Sequence, residues 1–367
     1  MGDLRSILGP MITFISRFTR SVLLFAPFFA SFLGSGFSSQ ASLFNPFEHK
    51  LMISGAGATF PYPLYSKWFF EYEKKNLGVA FNYQSIGSGG GIRQLLDETV
   101  DFGASDAPMS DEQLKKAKAP ILHVPGTMGA VVLSYHLPGY DQSLRLTGAN
   151  IADIFLGKIV KWNDPSLLML NPDLVSFSKA HPDILVVHRS DGSGTTSIFS
   201  DFLSKSSPEW QKKVGKGTAL RWPVGIGGKG NEGVTSFIKQ IPGSIGYVEL
   251  VFAKTLKLPV AWVENPKHEF IEPTPENVTK AAMGALSKIP DDFRYSLTLV
   301  DALGAYPISA FTYILLYPGM KKDEKRKALF QFLVWGLTEG QKMSSKMYYA
   351  PLPDELVKRV LLKVGEP

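Results

Sequence analysis

Apolar residues recur every fourth position from Leu64 through Trp68 to Tyr72, which predicts an amphipathic helix over 61–74. Pro61 sits at or near its first turn, where a missing N–H costs nothing. A short strand over 51–55 precedes it. Val79, Phe81 and Tyr83 alternate with polar positions and predict a strand over 79–85. Ile92, Leu95 and Leu96 mark a helix over 91–98, and 100–105 is again a short strand. This strand–helix alternation implies a parallel sheet with helices on its faces, and such sheets bind ligands at the carboxyl ends of their strands.

Two long apolar strands, 128–137 and 307–317, bracket the middle of the chain. Between them the pattern predicts a helix around 151–155, strands over 184–188 and 243–248, and helices over 195–205 and 275–287. Helices over 323–336 and 354–363 close the chain. A chain that leaves one domain and returns to it once gives a discontinuous domain I (50–133 and 306–367) and a domain II (134–305). Two connecting strands then form a hinge able to close around a ligand. A length of 367 residues suits two domains.

The first 41 residues carry a different pattern. Arg5, Arg17 and Arg20 precede an apolar run from Ser21 to Leu33, and Ser39-Gln40-Ala41 follows. The run is too short for a comfortable membrane span and fits a signal-peptide core, with cleavage after Ala41. An uncleaved anchor helix is the alternative. Removing 1–41 takes away three arginines and one aspartate, which lowers the net charge from +6 to +4. The basic balance makes a nucleic-acid partner conceivable, but the lysines are scattered in short groups without interleaved aromatics and read as solvated helix faces. The chain has no cysteine, so disulfides, thiolate metal sites, a cysteine nucleophile and a lipidated N-terminal cysteine are all excluded.

Three Gly/Ser/Thr-rich segments stand where helices should begin: Gly55-Ala56-Gly57-Ala58-Thr59-Phe60, Gly87-Ser88-Gly89-Gly90-Gly91 and Asp191-Gly192-Ser193-Gly194-Thr195-Thr196. Helix starts have unpaired N–H groups and the positive end of the helix dipole, and small residues let an anion approach them. Arg189 adds a planar fork matched to an oxyanion, which Asp191 would orient. Each segment also has an ordinary reading. The third is then a helix cap with a surface Arg–Asp pair, and the glycine run a flexible loop. Ser88 is expected to act as cap and anion donor together.

Asp106 puts a carboxylate beside this supposed anion site. That suits an anion that still carries a proton, such as hydrogen phosphate, whereas sulfate would offer only lone pairs. The alternative is a helix cap, for which Asp111 is the better candidate. Gly225-Ile226-Gly227-Gly228-Lys229-Gly230, with Glu249 about 20 residues on, matches a dinucleotide fingerprint. No strand–helix–strand unit of the right order is expected around it. The six histidines lack metal-ligand spacing, and no Gly-x-Ser-x-Gly elbow occurs. His188 should point to the opposite face of its strand from Arg189. Neither cofactor nor metal is expected.

In order along the chain, these motifs resemble the PstS family, the periplasmic phosphate-binding receptors of phosphate ABC transporters. The resemblance covers 53–353 and rests on Gly55 to Pro61, Asn82 to Ser88, Val100 to Pro108, Arg189 to Thr195, Trp222 to Gly230 and Gly243 to Glu249. It implies an α/β fold of the type II periplasmic-binding kind, with two lobes closing over dehydrated phosphate. Thr59, Phe60, Ser88, Asp106, Arg189, Ser193, Gly194 and Thr195 would bind the anion, with Asp106 accepting its proton and Asp191 holding Arg189. The basic N-terminal extension departs from the family pattern, as do Ser85 and Ser190, where smaller residues are common. The implied protein is a non-enzymatic, monomeric periplasmic receptor that delivers phosphate to a permease and ATPase complex. A secreted phosphate sensor, a receptor for another oxyanion and a phosphomonoester hydrolase are the alternatives.

Overall fold

Three parallel strands open the fold: β1 (Leu51–Gly57), β2 (Val79–Ser85) and β3 (Phe102–Ser105), with β1 between the other two. Helices Tyr62–Lys75 and Ser88–Leu96 fill the connections. The computed structural model describes residues 50–140, 142–178, 183–318 and 324–365, and the export segment expected over 1–41 lies outside them. The chain continues through β4 (Leu122–Tyr135), β5 (Arg145–Leu146), β6 (Leu185–Arg189) and β7 (Ile226–Gly228). It ends its strands with β8 (Ser244–Glu249), β9 (Trp262–Glu264), β10 (Phe270–Ile271) and β11 (Ser309–Leu316). Eight strands make one sheet in the order β2-β1-β3-β11-β4-β8-β6-β7, and β10-β9-β5 make a small second sheet.

The large sheet has parallel ends and an antiparallel middle. β2, β1 and β3 run together at one end, and β8, β6 and β7 at the other. β11 and β4 join them with antiparallel pairing throughout. β4 is the element common to both ends: its residues 122–130 pair with β11, and 131–135 with β8. β4 begins six residues before the expected strand. Pro125 has no N–H to donate and Gly126 weakens a strand, so this stretch does not read as one. The register shift at Thr312/Tyr313 skips Gly126, and this bulge absorbs the irregularity.

The predicted helices form with boundaries moved by a few residues. Helix Tyr62–Lys75 buries Leu64, Tyr65, Trp68, Phe69 and Tyr72 against the sheet. Phe69 stacks on Phe81 at 4.6 Å between ring centroids, and Phe332 of helix Glu324–Trp335 covers Phe81 at 4.5 Å. Among the described residues no helix is long and apolar enough to cross a membrane.

Two expected caps are corrected. Gly87, at φ +87°, is the cap of helix Ser88–Leu96, which leaves Ser88 inside the first turn with its hydroxyl free for other partners. The following turn is capped by Ser110, in a reciprocal box with Gln113, and not by Asp111. The glycine run itself serves backbone packing. A methyl at Gly91 would overlap the Ala56 carbonyl, and one at Gly89 would press on Gly192 at 3.2 Å. Helix Ser88–Leu96 thus lies directly on β1 and β3, at a distance only glycine allows. We expect Gly91→Ala to lower stability by about 1–3 kcal/mol through overpacking. Urea denaturation checks this, and an unchanged midpoint would refute the packing role.

Candidate functional site

The carboxyl ends of the two parallel strand groups meet, and the predicted residues gather there. Thr59 and Phe60 follow β1, Ser88 follows β2 and Asp106 follows β3. From the other end, Arg189 closes β6, and Ser193, Gly194 and Thr195 open helix Gly194–Ser206. All eight are buried.

Arg189 anchors the site electrostatically. Its Nε and Nη2 donate to the two oxygens of Asp191 at 2.8 and 2.6 Å, the fork-on-carboxylate pairing the sequence suggested. Gly230 N–H donates to the same carboxylate at 3.0 Å. Burial alone would raise the Asp191 carboxyl, but the bonds and charge of Arg189 outweigh it and hold the group below its ordinary value. Arg189 Nη1 also donates to Thr195 Oγ1 at 3.3 Å. His188 turns away from this face and stacks on Trp222.

The hydroxyls have defined partners. Ser88 Oγ accepts from Gly194 N–H at 3.0 Å and from Asp106 N–H at 3.3 Å, bridging the two strand groups. Ser193 Oγ caps its own helix by accepting from Thr196 N–H, while Ser193 N–H is committed to the Thr218 carbonyl. The Phe60 carbonyl accepts from the Tyr349 hydroxyl at 2.6 Å, which fixes the Phe60–Pro61 peptide on the far side of the residue from its amide.

Asp106 is the acceptor among these donors. Thr312 Oγ1 donates to its Oδ1 at 3.0 Å, and Thr195 Oγ1 to its Oδ2 at 3.4 Å. Burial pushes its carboxyl up to about 7, although the Thr312 bond, the Arg189 charge and the Thr195 bond oppose the shift. A carboxyl poised near neutrality can share one proton with an anion.

Two buried residues of the site were not foreseen. Thr312 lies on β11, where the apolar pattern signals only a strand. Asn231 donates from Nδ2 to Thr59 Oγ1 at 2.7 Å, and from its backbone N–H to the same oxygen at 3.3 Å. The signal for Asn231 was the fourth glycine-rich helix start, read as a doubtful dinucleotide fingerprint. Helix Gly230–Gln240 joins β7 to β8, but the run contains β7 rather than following it and β6 lies between the two strands, so the unit lacks the order of a dinucleotide site. The first amides of this helix go to Asp191 and Thr59, and the Glu249 carboxylate caps Val251 N–H at 2.7 Å.

The family profile described as "PBP superfamily domain" matches residues 37–339. A phosphate-binding protein PstS from Xylella fastidiosa is 46% identical over 311 residues, covering 84% of this chain and 83% of its own. The Haemophilus influenzae phosphate-binding protein PstS is 42% identical over 318 residues, covering 86% and 93%. The chain belongs to the PstS family. Among solved structures, a high-affinity periplasmic phosphate-binding protein (PfluDING) bound with phosphate superposes with a TM-score of 0.65 at 21% identity. That match covers 85% of this chain and 93% of the other, and it establishes the type II periplasmic-binding fold.

The raised Asp106 carboxyl has a consequence for stability. Its folded value, about 7, lies above its ordinary 3.8. The stability it contributes is therefore complete below pH 4 and lost as pH rises through 7, by up to about 4 kcal/mol. Asp106→Asn removes this dependence. Calorimetric melting without phosphate should show the variant gaining on the parent between pH 4 and 8, and parallel curves would contradict the assignment.

Proposed function

We propose that this PstS-family chain binds inorganic phosphate at the convergence of its two strand groups and hands it to an ABC permease and ATPase complex. The observation that carries this reading is the pairing of one buried, already neutralised guanidinium with one buried carboxyl inside a ring of N–H and O–H donors. Such a ring suits a tetrahedral dianion that keeps one proton. Asp106 takes that proton in a hydrogen bond, and the donors satisfy the remaining oxygens. Charge-assisted bonds of this kind contribute about 1.5–3 kcal/mol each. The relatives' names, phosphate-binding protein PstS, support the same ligand.

The two strand groups then correspond to two lobes, 50–133 with 306–367 and 134–305. β4 is the strand that serves both. The bonds Ser88–Gly194 and Thr59–Asn231 span the groups, as a closed lobe arrangement requires. Thr59, Phe60, Ser88, Asp106, Arg189, Ser193, Gly194 and Thr195 are the ligand residues of this reading, and Asp191 positions Arg189. The protein works as a monomer in the periplasm, after loss of an N-terminal signal, and without catalysis.

Calorimetric titration at pH 8 tests the proposal. The parent should bind phosphate one to one and leave sulfate unbound. Asp106→Asn should weaken phosphate by on the order of tenfold and admit sulfate, because an amide donates where the carboxylate accepts. Equal binding of both anions by the parent would overturn the reading.

A further inference from the structure

The glycine-rich turn before helix Gly230–Gln240 has no place in the ligand set, yet it reaches both sides of the site. Gly230 N–H holds Asp191, and Asn231 holds Thr59. The orientation of the Asn231 amide is fixed, because its Oδ1 accepts from Glu249 N–H at 2.9 Å. Its Nδ2 must therefore face Thr59, and also lies 3.5 Å from Thr195 Oγ1. Asn231, Thr59 and Thr195 are all buried, so water does not compete for these groups.

A hydroxyl has two acceptor positions and one proton to give. At Thr59 Oγ1 both acceptor positions are filled by Asn231, from its backbone N–H at 3.3 Å and its side chain at 2.7 Å. Among the described residues no protein acceptor takes the Thr59 proton. With both lone pairs occupied, that proton is left for whatever anion enters the site. Ser88 has the same arrangement, filled by two backbone amides.

We propose that Asn231 is a positioning residue for anion binding: by occupying both acceptor positions of Thr59 Oγ1 it commits the Thr59 hydroxyl proton to the ligand. This rests on the phosphate-receptor reading above. A free threonine hydroxyl in a donor ring can rotate and turn a lone pair toward the anion, which repels it. Asn231 removes that option. Because Asn231 and Thr59 come from opposite strand groups, the proton is committed only when the two are brought together.

A double-mutant cycle on the full-length protein, read by calorimetric titration with inorganic phosphate, tests this. Asn231→Ala should weaken phosphate binding by on the order of tenfold, the scale of one charge-assisted bond. In a Thr59→Val background the same change should cost less than about twofold, because the hydroxyl it acts through is gone. A merely structural role for Asn231 would instead make the two losses multiply, and that result would overturn the inference. So would an Asn231→Ala variant that binds like the parent. Should Asn231→Ala fail to fold, Asn231→Asp carries the test, since it keeps the shape and the acceptor for Glu249 N–H. Its second oxygen would draw the Thr59 proton away from the ligand, so binding should fall by at least tenfold, and parent-like binding would overturn the inference. A parent that ignores phosphate would overturn the receptor reading itself, whereas a phosphate-binding parent with multiplying losses would overturn only the role of Asn231.

Discussion

The site depends on the burial of Arg189. A guanidinium out of water is tolerable only when its charge is matched and its N–H groups are bonded. Asp191 meets both requirements with a two-point contact, and Gly230 N–H fixes Asp191 in turn. The cation is therefore balanced within the protein. What remains to attract an anion is a set of dipoles and hydrogen-bond donors, which recognise shape and proton count more than charge. The buried carboxyl of Asp106 belongs to the same logic: in the proposed reading it asks for a proton that a bare anion does not carry.

The fold brings these groups together through strand polarity. Each parallel group ends its strands at the same edge, and each strand there feeds a helix start or a tight turn. The antiparallel pair β4 and β11 sets the groups against one another, so that donors from helix Gly194–Ser206 face acceptors after β2 and β3, Gly194 N–H on Ser88 and the Thr195 hydroxyl on Asp106. β11 contributes chemistry as well as pairing, since Thr312 donates to Asp106 from its middle. Glycine is needed where helix backbone lies on strand backbone. The run after Gly87 is thus a packing device that places Ser88 at the correct depth.

Much of this was legible in the sequence. Apolar spacing at four located helix Tyr62–Lys75, and alternation located β2. Glycine and hydroxyl residues at helix starts, with Arg189 and Asp191 two apart, marked most of the site. The rest depends on tertiary register. Thr312 looks like any polar position in a strand, and only pairing with β3 and β4 aims it at Asp106. Asn231 sits in a run that resembles a nucleotide motif, and its bond to Thr59 joins residues 172 positions apart. The first half of β4 was hidden because Pro125 and Gly126 imitate a turn, while a bulge at Gly126 lets the pairing with β11 continue past them.

The central claim is that Asp106 and the donor ring recognise a protonated anion. Diffraction at atomic resolution from crystals of the phosphate complex at pH 8 tests it most directly. The account predicts one phosphate oxygen at about 2.5–2.7 Å from Asp106, the length of an O–H···O⁻ bond. The other oxygens should face Arg189, Thr59, Ser88 and the start of helix Gly194–Ser206. Phosphate bound elsewhere, or Asp106 turned away from it, would contradict the account.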